Sequence, residues 1–151
     1  MASNFGNINL NEANQYLREQ DPLAIIQWVI NMADNPILTT GFMDVTMGIP
    51  QIDSDEHQIF TEQVKLEPFQ RALNEHNPDV WFTNLRRDQT EFRKNLDILH
   101  VNPKGILKVS PFFYYSEFEM DMYLQRFDLP NEKKYFDPTK VLATRECGIH
   151  L

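Results

Sequence analysis

The chain has 151 residues, 42% of them hydrophobic, 12% aromatic and 24% charged, which fits one folded domain with one core and argues against disorder. The net charge is -8, and residues 1–85 carry three basic residues against twelve acidic ones, while residues 86–151 carry eleven basic against ten acidic. That acidic first half speaks against nucleic acid as a partner, because such binding needs a basic face.

Asn11 to Gln20 and Pro22 to Asn35 read as two helices. Asp21 fits an N-cap and Pro22 a first helical position. Leu23, Ile26, Ile30 and Ala33 fall at helical spacing, with Ile25, Val29 and Met32 beside them. Asn35-Pro36 stops the second helix, and the run Pro36-Ile-Leu-Thr-Thr40 predicts a strand with a turn at Gly41. Residues 42–57 hold no steady period and read as a loop, with Ser54 to His57 acidic and polar. Phe60 to His76 is helical, with Leu66, Phe69 and Leu73 on one face, and Asn77-Pro78 ends it.

Val80-Trp-Phe-Thr83 predicts a buried strand, and Arg86 to Asn95 a short polar helix or helical loop. Ile98-Leu99 reads as a minor strand, Asn102-Pro-Lys-Gly105 as a turn and Ile106 to Pro111 as a third full strand. Ser116 should cap a helix through Phe127, with Glu119 completing a capping box and Met120, Tyr123, Leu124 and Phe127 facing inward. No periodicity follows Leu129. Strands alternating with helices predict an α/β fold with a parallel sheet.

The apolar runs are too short to span a bilayer, and the start shows neither a basic region nor an apolar stretch of secretory type. No membrane partner and a cytoplasmic setting are therefore expected. A single cysteine excludes an internal disulfide and a four-cysteine iron–sulfur or zinc site within one chain. The four histidines lack metal-ligand spacing, so no metal is expected.

The cysteine is Cys147, in Arg145-Glu-Cys-Gly-Ile-His150. Arg145 and His150 both favour a thiolate, and Glu146 opposes it. Such a thiol is a nucleophile if the tail folds over a basic pocket, and a bystander if it does not. Arg86 and Arg87 follow the Val80–Thr83 strand at its carboxyl end, where open α/β sheets bind ligands. Their planar forks suit phosphate or sulfate oxygens, and Gln89 and Arg93 can add contacts from the next turn. The same pair also fits the start of a surface helix. Thr39, Thr40 and Gly41 close the first strand and can cradle an anion through backbone N–H groups. Lys108 lies on the third full strand and needs a partner if it faces inward.

The segments Asp79-Val-Trp-Phe-Thr-Asn-Leu-Arg-Arg-Asp-Gln-Thr90, Leu107-Lys-Val-Ser-Pro-Phe112, Leu129-Pro-Asn-Glu132, Tyr135-Phe-Asp-Pro-Thr-Lys140 and Arg145-Glu-Cys-Gly-Ile-His150 resemble the phosphoadenylyl-sulfate (PAPS) reductases. The likeness runs almost continuously from about Val64 to the end, and Ile25-Ile-Gln-Trp28 and Asn35-Pro-Ile-Leu-Thr-Thr40 are similar to the family's opening. It implies an abbreviated adenine-nucleotide-hydrolase-like, Rossmann-like parallel sheet flanked by helices, with a flexible C-terminal tail. One domain over residues 1–151 would comprise N-terminal helices and first strand (1–41), a shortened linker region (42–63), sheet and helices (64–128) and a catalytic tail (129–151).

The resemblance also implies a reaction. Cys147 attacks the sulfur of PAPS, adenosine 3′,5′-bisphosphate leaves, and thioredoxin or glutaredoxin releases sulfite from the S-sulfocysteine. Arg145 and His150 would support Cys147, and Thr39, Thr40, Gly41, Arg86, Arg87, Gln89, Arg93, Lys108 and Lys140 would hold substrate. The branch implied uses no iron–sulfur cluster and binds no resident cofactor.

The chain departs from the family after Phe42, which runs within a few residues into Met47-Gly-Ile-Pro50, similar to a later part of the family's chain. A central segment is expected to be absent. A three-strand sheet would then expose its edges, so a homo-oligomer, a dimer, is expected. The alternative reading is a non-catalytic nucleotide- or anion-binding, or assembly, subunit derived from this family.

Overall fold

A computed structural model describes residues 7–38, 48–52, 54–131 and 137–139. The chain divides into two compact units: residues 1–39 with 78–131, and residues 40–77 with 132–151.

The first unit is built on a four-stranded sheet. Its strands are β1 (Pro36–Leu38), β2 (Val80–Phe82), β3 (Leu99–Val101) and β4 (Leu107–Val109), in the order β1-β2-β4-β3. β1, β2 and β4 run parallel, with Leu38 beside Phe82 and Phe82 beside Val109. β3 is antiparallel to β4, so the sheet is mixed rather than wholly parallel. The cause is the short Asn102–Gly105 turn, since only antiparallel neighbours can be joined so briefly. Asn102 Oδ1 accepts from the N–H groups of Lys104 (3.0 Å) and Ile106 (2.9 Å), and Gly105 takes φ 82°, where a side chain would be strained. At the other end of the strands, the Asp79 carboxylate accepts from the backbone of Asp34 (2.6 Å) and Asn35 (2.7 Å), tying the starts of β1 and β2 together.

Two helices cover one sheet face: α1 (Leu10–Leu17) and α2 (Pro22–Ile30). Leu17, Ile25 and Val29 pack with Val80, Phe82, Leu99, Leu107, Val109, Ile98 and Phe113 into the core. Asp21 caps α2 as expected, accepting from Leu23 and Ala24 N–H at 2.9 and 3.1 Å, with Pro22 in the first turn. α2 ends at Ile30, short of Asn35, and its buried stripe is Pro22, Ile25 and Val29, while Leu23 and Ile30 are exposed. A helix this apolar gives periodicity no contrast to choose a face by. α1 also closes the outer edge of the sheet. The Asn14 side chain is buried, accepts from Leu99 N–H (2.7 Å) and donates to Leu99 C=O (3.0 Å). These two groups of β3 point away from β4, so Asn14 stands in for a further strand. The edges expected of three strands thus become four strands with one edge covered at Leu99.

α5 (Glu117–Arg126) completes this unit with the expected capping box. Glu119 N–H donates to Ser116 Oγ (3.3 Å), and Ser116 N–H donates to the Glu119 carboxylate (2.8 Å). Tyr123 sits against Phe112 and Phe127, with ring centroids 5.2 and 4.7 Å away.

The second unit holds α3 (Asp55–Thr61), a π turn (Glu62–Leu66) and α4 (Glu67–His76). The helical region therefore starts five residues before Phe60, within what reads as loop. Ser54 is its N-cap, with Oγ accepting from His57 N–H (3.2 Å), and Asp55 and Glu56 lie in the first turn, where negative charge is favourable. Polarity there marks a helix start. The π turn has a local cause, because Pro68 lacks an N–H and its ring crowds the carbonyl one turn back. Asn77 ends α4 in a left-handed conformation (φ 42°).

Buried Lys65 reaches Asp137 (2.5 Å) and Thr139 Oγ1 (3.1 Å). Asp137 also accepts from Thr139 N–H (3.0 Å) and its hydroxyl (2.6 Å). Burial alone would raise the Asp137 carboxyl pKa, but the hydrogen bonds from Lys65 and Thr139 hold it below the ordinary value. His57 Nε2 donates to Pro138 C=O (2.9 Å), a second tie on this segment. Among the described residues no helix is long and apolar enough to cross a membrane, and no group of His, Cys, Asp or Glu could hold a metal ion.

Candidate functional site

Four of the expected residues come together in one turn. After β2, Thr83 N–H donates to Val109 C=O (2.8 Å), and the chain leaves the carboxyl edge of the sheet. It forms two short 3₁₀ turns, Arg87–Gln89 and Phe92–Asn95, in place of one helix. Arg86 N–H donates to Gln89 Oε1 (3.1 Å), and Arg93 Nη1 donates to the same oxygen. Gln89 is therefore the hub that orients the turn. Arg93 is 4% exposed, and its N–H donates to Thr90 Oγ1 (3.3 Å).

The two consecutive arginines differ in their partners. The Arg86 side chain is 15% exposed and lies near two carboxylates, Asp88 at 3.4 Å and Glu117 at 3.7 Å. Arg87 is exposed, and among the described residues no carboxylate lies within ion-pair distance of it. Its N–H donates to Phe113 C=O (2.8 Å), and its guanidinium lies 5.8 Å from the centre of the Tyr114 ring. Arg87 is thus the guanidinium of this turn best placed to meet an incoming anion, while Arg86 already has its charge partly answered.

Lys108 is 5% exposed on β4, in register with Trp81 of β2 and His100 of β3. Its ammonium lies 4.8 Å from the Trp81 ring centre, a cation–π contact for an otherwise costly buried charge. Burial first, and the Lys108 charge second, lower the His100 pKa. Thr39, Thr40, Gly41, Lys140, Arg145, Cys147 and His150 lie outside the described residues.

A group that residue spacing does not bring together surrounds Tyr114. The Tyr114 hydroxyl donates to Asp97 Oδ1 (3.0 Å), Ile98 N–H donates to the same oxygen (2.9 Å), and Arg18 Nη2 pairs with Asp97 Oδ2. The Arg18 guanidinium also lies 5.4 Å from the Tyr114 ring centre. The hydrogen bond from Arg18 to Asp97 raises the Arg18 pKa, and burial first, then donation to Asp97, raises that of Tyr114. The one available signal was Arg18 as an isolated cation in an acidic half.

A model of the family described as the phosphoadenosine phosphosulfate reductase domain matches residues 38–138, from the end of β1 through the Arg86–Arg87 turn and β4 to Pro138. The chain belongs to this family. A phosphoadenosine 5′-phosphosulfate reductase of Photobacterium profundum is 38% identical over 66 residues, covering 44% of this chain and 26% of that protein. One from Vibrio cholerae is 42% identical over 66 residues with the same coverage. The chain thus matches about a quarter of the length of these relatives. A crystal structure of phosphoadenylyl-sulfate reductase from Candida auris, a phosphate complex, superposes with a TM-score of 0.63 over 80% of this chain and 86% of that one. At 17% identity it shows the shared α/β, Rossmann-like fold.

Proposed function

We propose that this chain reduces 3′-phosphoadenylyl sulfate to sulfite and adenosine 3′,5′-bisphosphate. The observation that carries the reading is Arg87, exposed at the carboxyl edge of the sheet, within the matched segment, with no carboxylate partner among the described residues. A guanidinium there stabilises negative charge on the phosphate as it leaves. Lys108, Arg93, Gln89, Arg86 and Lys140 act with it on the substrate, and Thr39, Thr40 and Gly41 cradle a phosphate.

The Cys147 thiolate attacks the sulfuryl sulfur, and the bond from that sulfur to the bridging oxygen breaks with its electron pair going to the leaving phosphate. Arg145 and His150 keep the thiol ionised. A thiolate of thioredoxin or glutaredoxin then attacks Cys147 Sγ, and sulfite departs with the electron pair of the S–S bond. The reductant's second thiol frees Cys147 and leaves the reductant as a disulfide. With one cysteine in the chain, the intermediate is resolved by an outside dithiol or with the help of a second subunit. The reaction needs no iron–sulfur cluster and suits a reducing, cytoplasmic setting in sulfate assimilation, with a homodimer as the assembly.

The test is sulfite release from PAPS with reduced thioredoxin, run beside calorimetry with adenosine 3′,5′-bisphosphate. Sulfite from the wild type and none from a folded Cys147→Ser variant supports the reading. Tight nucleotide binding without sulfite favours a non-catalytic binding subunit. Neither binding nor sulfite from folded protein rejects both.

A further inference from the structure

We infer that Tyr114 is a positioning residue that holds the Arg87 guanidinium in place for an anionic ligand, an inference that rests on the proposed role of Arg87. An exposed arginine samples many rotamers, and fixing one costs entropy each time a ligand binds. Here much of that ordering is built in. The Arg87 backbone is tied to Phe113, and its side chain lies over the adjacent Tyr114 ring.

The ring is itself fixed at its far end, because its hydroxyl donates to Asp97 (3.0 Å). Asp97 is oriented by Ile98 N–H (2.9 Å) and by Arg18. The chain of contacts therefore runs from α1 through Arg18, Asp97 and Tyr114 to Arg87. Two guanidinium groups lie over one ring, at 5.4 and 5.8 Å from its centre. Asp97 answers the charge of Arg18 and leaves that of Arg87 for the ligand. A negatively polarised aromatic face orients a guanidinium without neutralising it, which a carboxylate in the same place would do.

The experiment is a double-mutant cycle read by calorimetry with adenosine 3′,5′-bisphosphate at several salt concentrations, using Arg87→Ala, Tyr114→Leu, the double variant and Tyr114→Phe. Arg87→Ala should weaken binding about tenfold or more. Tyr114→Leu should weaken it about three- to tenfold while the slope of log affinity against log salt stays close to wild type. The double variant should equal Arg87→Ala alone, because no guanidinium remains to be positioned. Tyr114→Phe, which keeps the ring but loses the bond to Asp97, should fall between wild type and Tyr114→Leu. Additive losses, or a Tyr114→Leu variant that binds like wild type while Arg87→Ala binds weakly, overturn the positioning role and leave the role of Arg87 intact. Unchanged binding in Arg87→Ala overturns both.

Discussion

The two faces of the sheet, made by the same three-residue strands, do different work. One carries Val80 and Phe82 of β2, Leu99 of β3, and Leu107 and Val109 of β4, all in the core with α1 and α2. The other carries Trp81, Lys108 and His100 in one cross-strand row. Alternation along a strand places these residues on opposite sides one position apart. Both faces bury their central residues, yet only the second buries a cation. The apolar face specifies the fold. A charge kept at 5% exposure on the other is costly to bury, and the substrate role proposed for Lys108 is what this second face would serve.

The sharpest way to break this contrast is on the apolar face. Phe82→Ala should destabilise by about 3–5 kcal/mol, read by denaturant unfolding, because it empties the middle of the core. On the opposite face, Lys108→Met should cost less, about 1–2 kcal/mol, because methionine refills most of the lysine's volume against Trp81 and removes a buried charge. Its loss should appear instead as weaker binding of adenosine 3′,5′-bisphosphate, about tenfold. A stability loss as large as that of Phe82→Ala with unchanged binding would make the two faces equivalent.

The smallest effect is in pH. The folded pKa of His100 lies below the ordinary value of about 6.5. The unfolded chain therefore binds this proton first as pH falls. Stability is full above about 6.5, declines as pH drops toward the folded value, and is level below it. Following His100 by NMR, Lys108→Met should move its pKa up only part of the way, because burial is the larger cause. A complete return to the ordinary value would make the Lys108 charge the main influence.

Much of the fold was legible in local chemistry. The Asp21 and Ser116 caps, the strand after Asp79, the Asn102–Gly105 turn and the stop at Asn77 depend on a few adjacent residues, and each is found where expected. The antiparallel course of β3 follows from the brevity of that turn, whereas alternating strands and helices alone predict a parallel sheet. Ser54 to His57 was misread because a capped, acidic first turn has the composition of a loop. The π turn before Pro68 is a steric adjustment with no hydrophobic period of its own.

The candidate site divides in the same way. Arg86, Arg87, Gln89 and Arg93 were visible because one turn holds them. Their different surroundings were not, because Glu117, Phe113 and Tyr114 arrive from beyond β4. Tyr114 meets Asp97 across 17 positions, and Asp97 meets Arg18 across 79, distances over which residue patterns carry no signal.

Asn14 has a consequence for how copies of this protein can meet. With the outward amide and carbonyl of Leu99 already occupied, a foreign β-segment finds no template at the start of that border strand. Fibril-like growth along this flank is obstructed by one carboxamide, and lasting association there would have to be made through side chains.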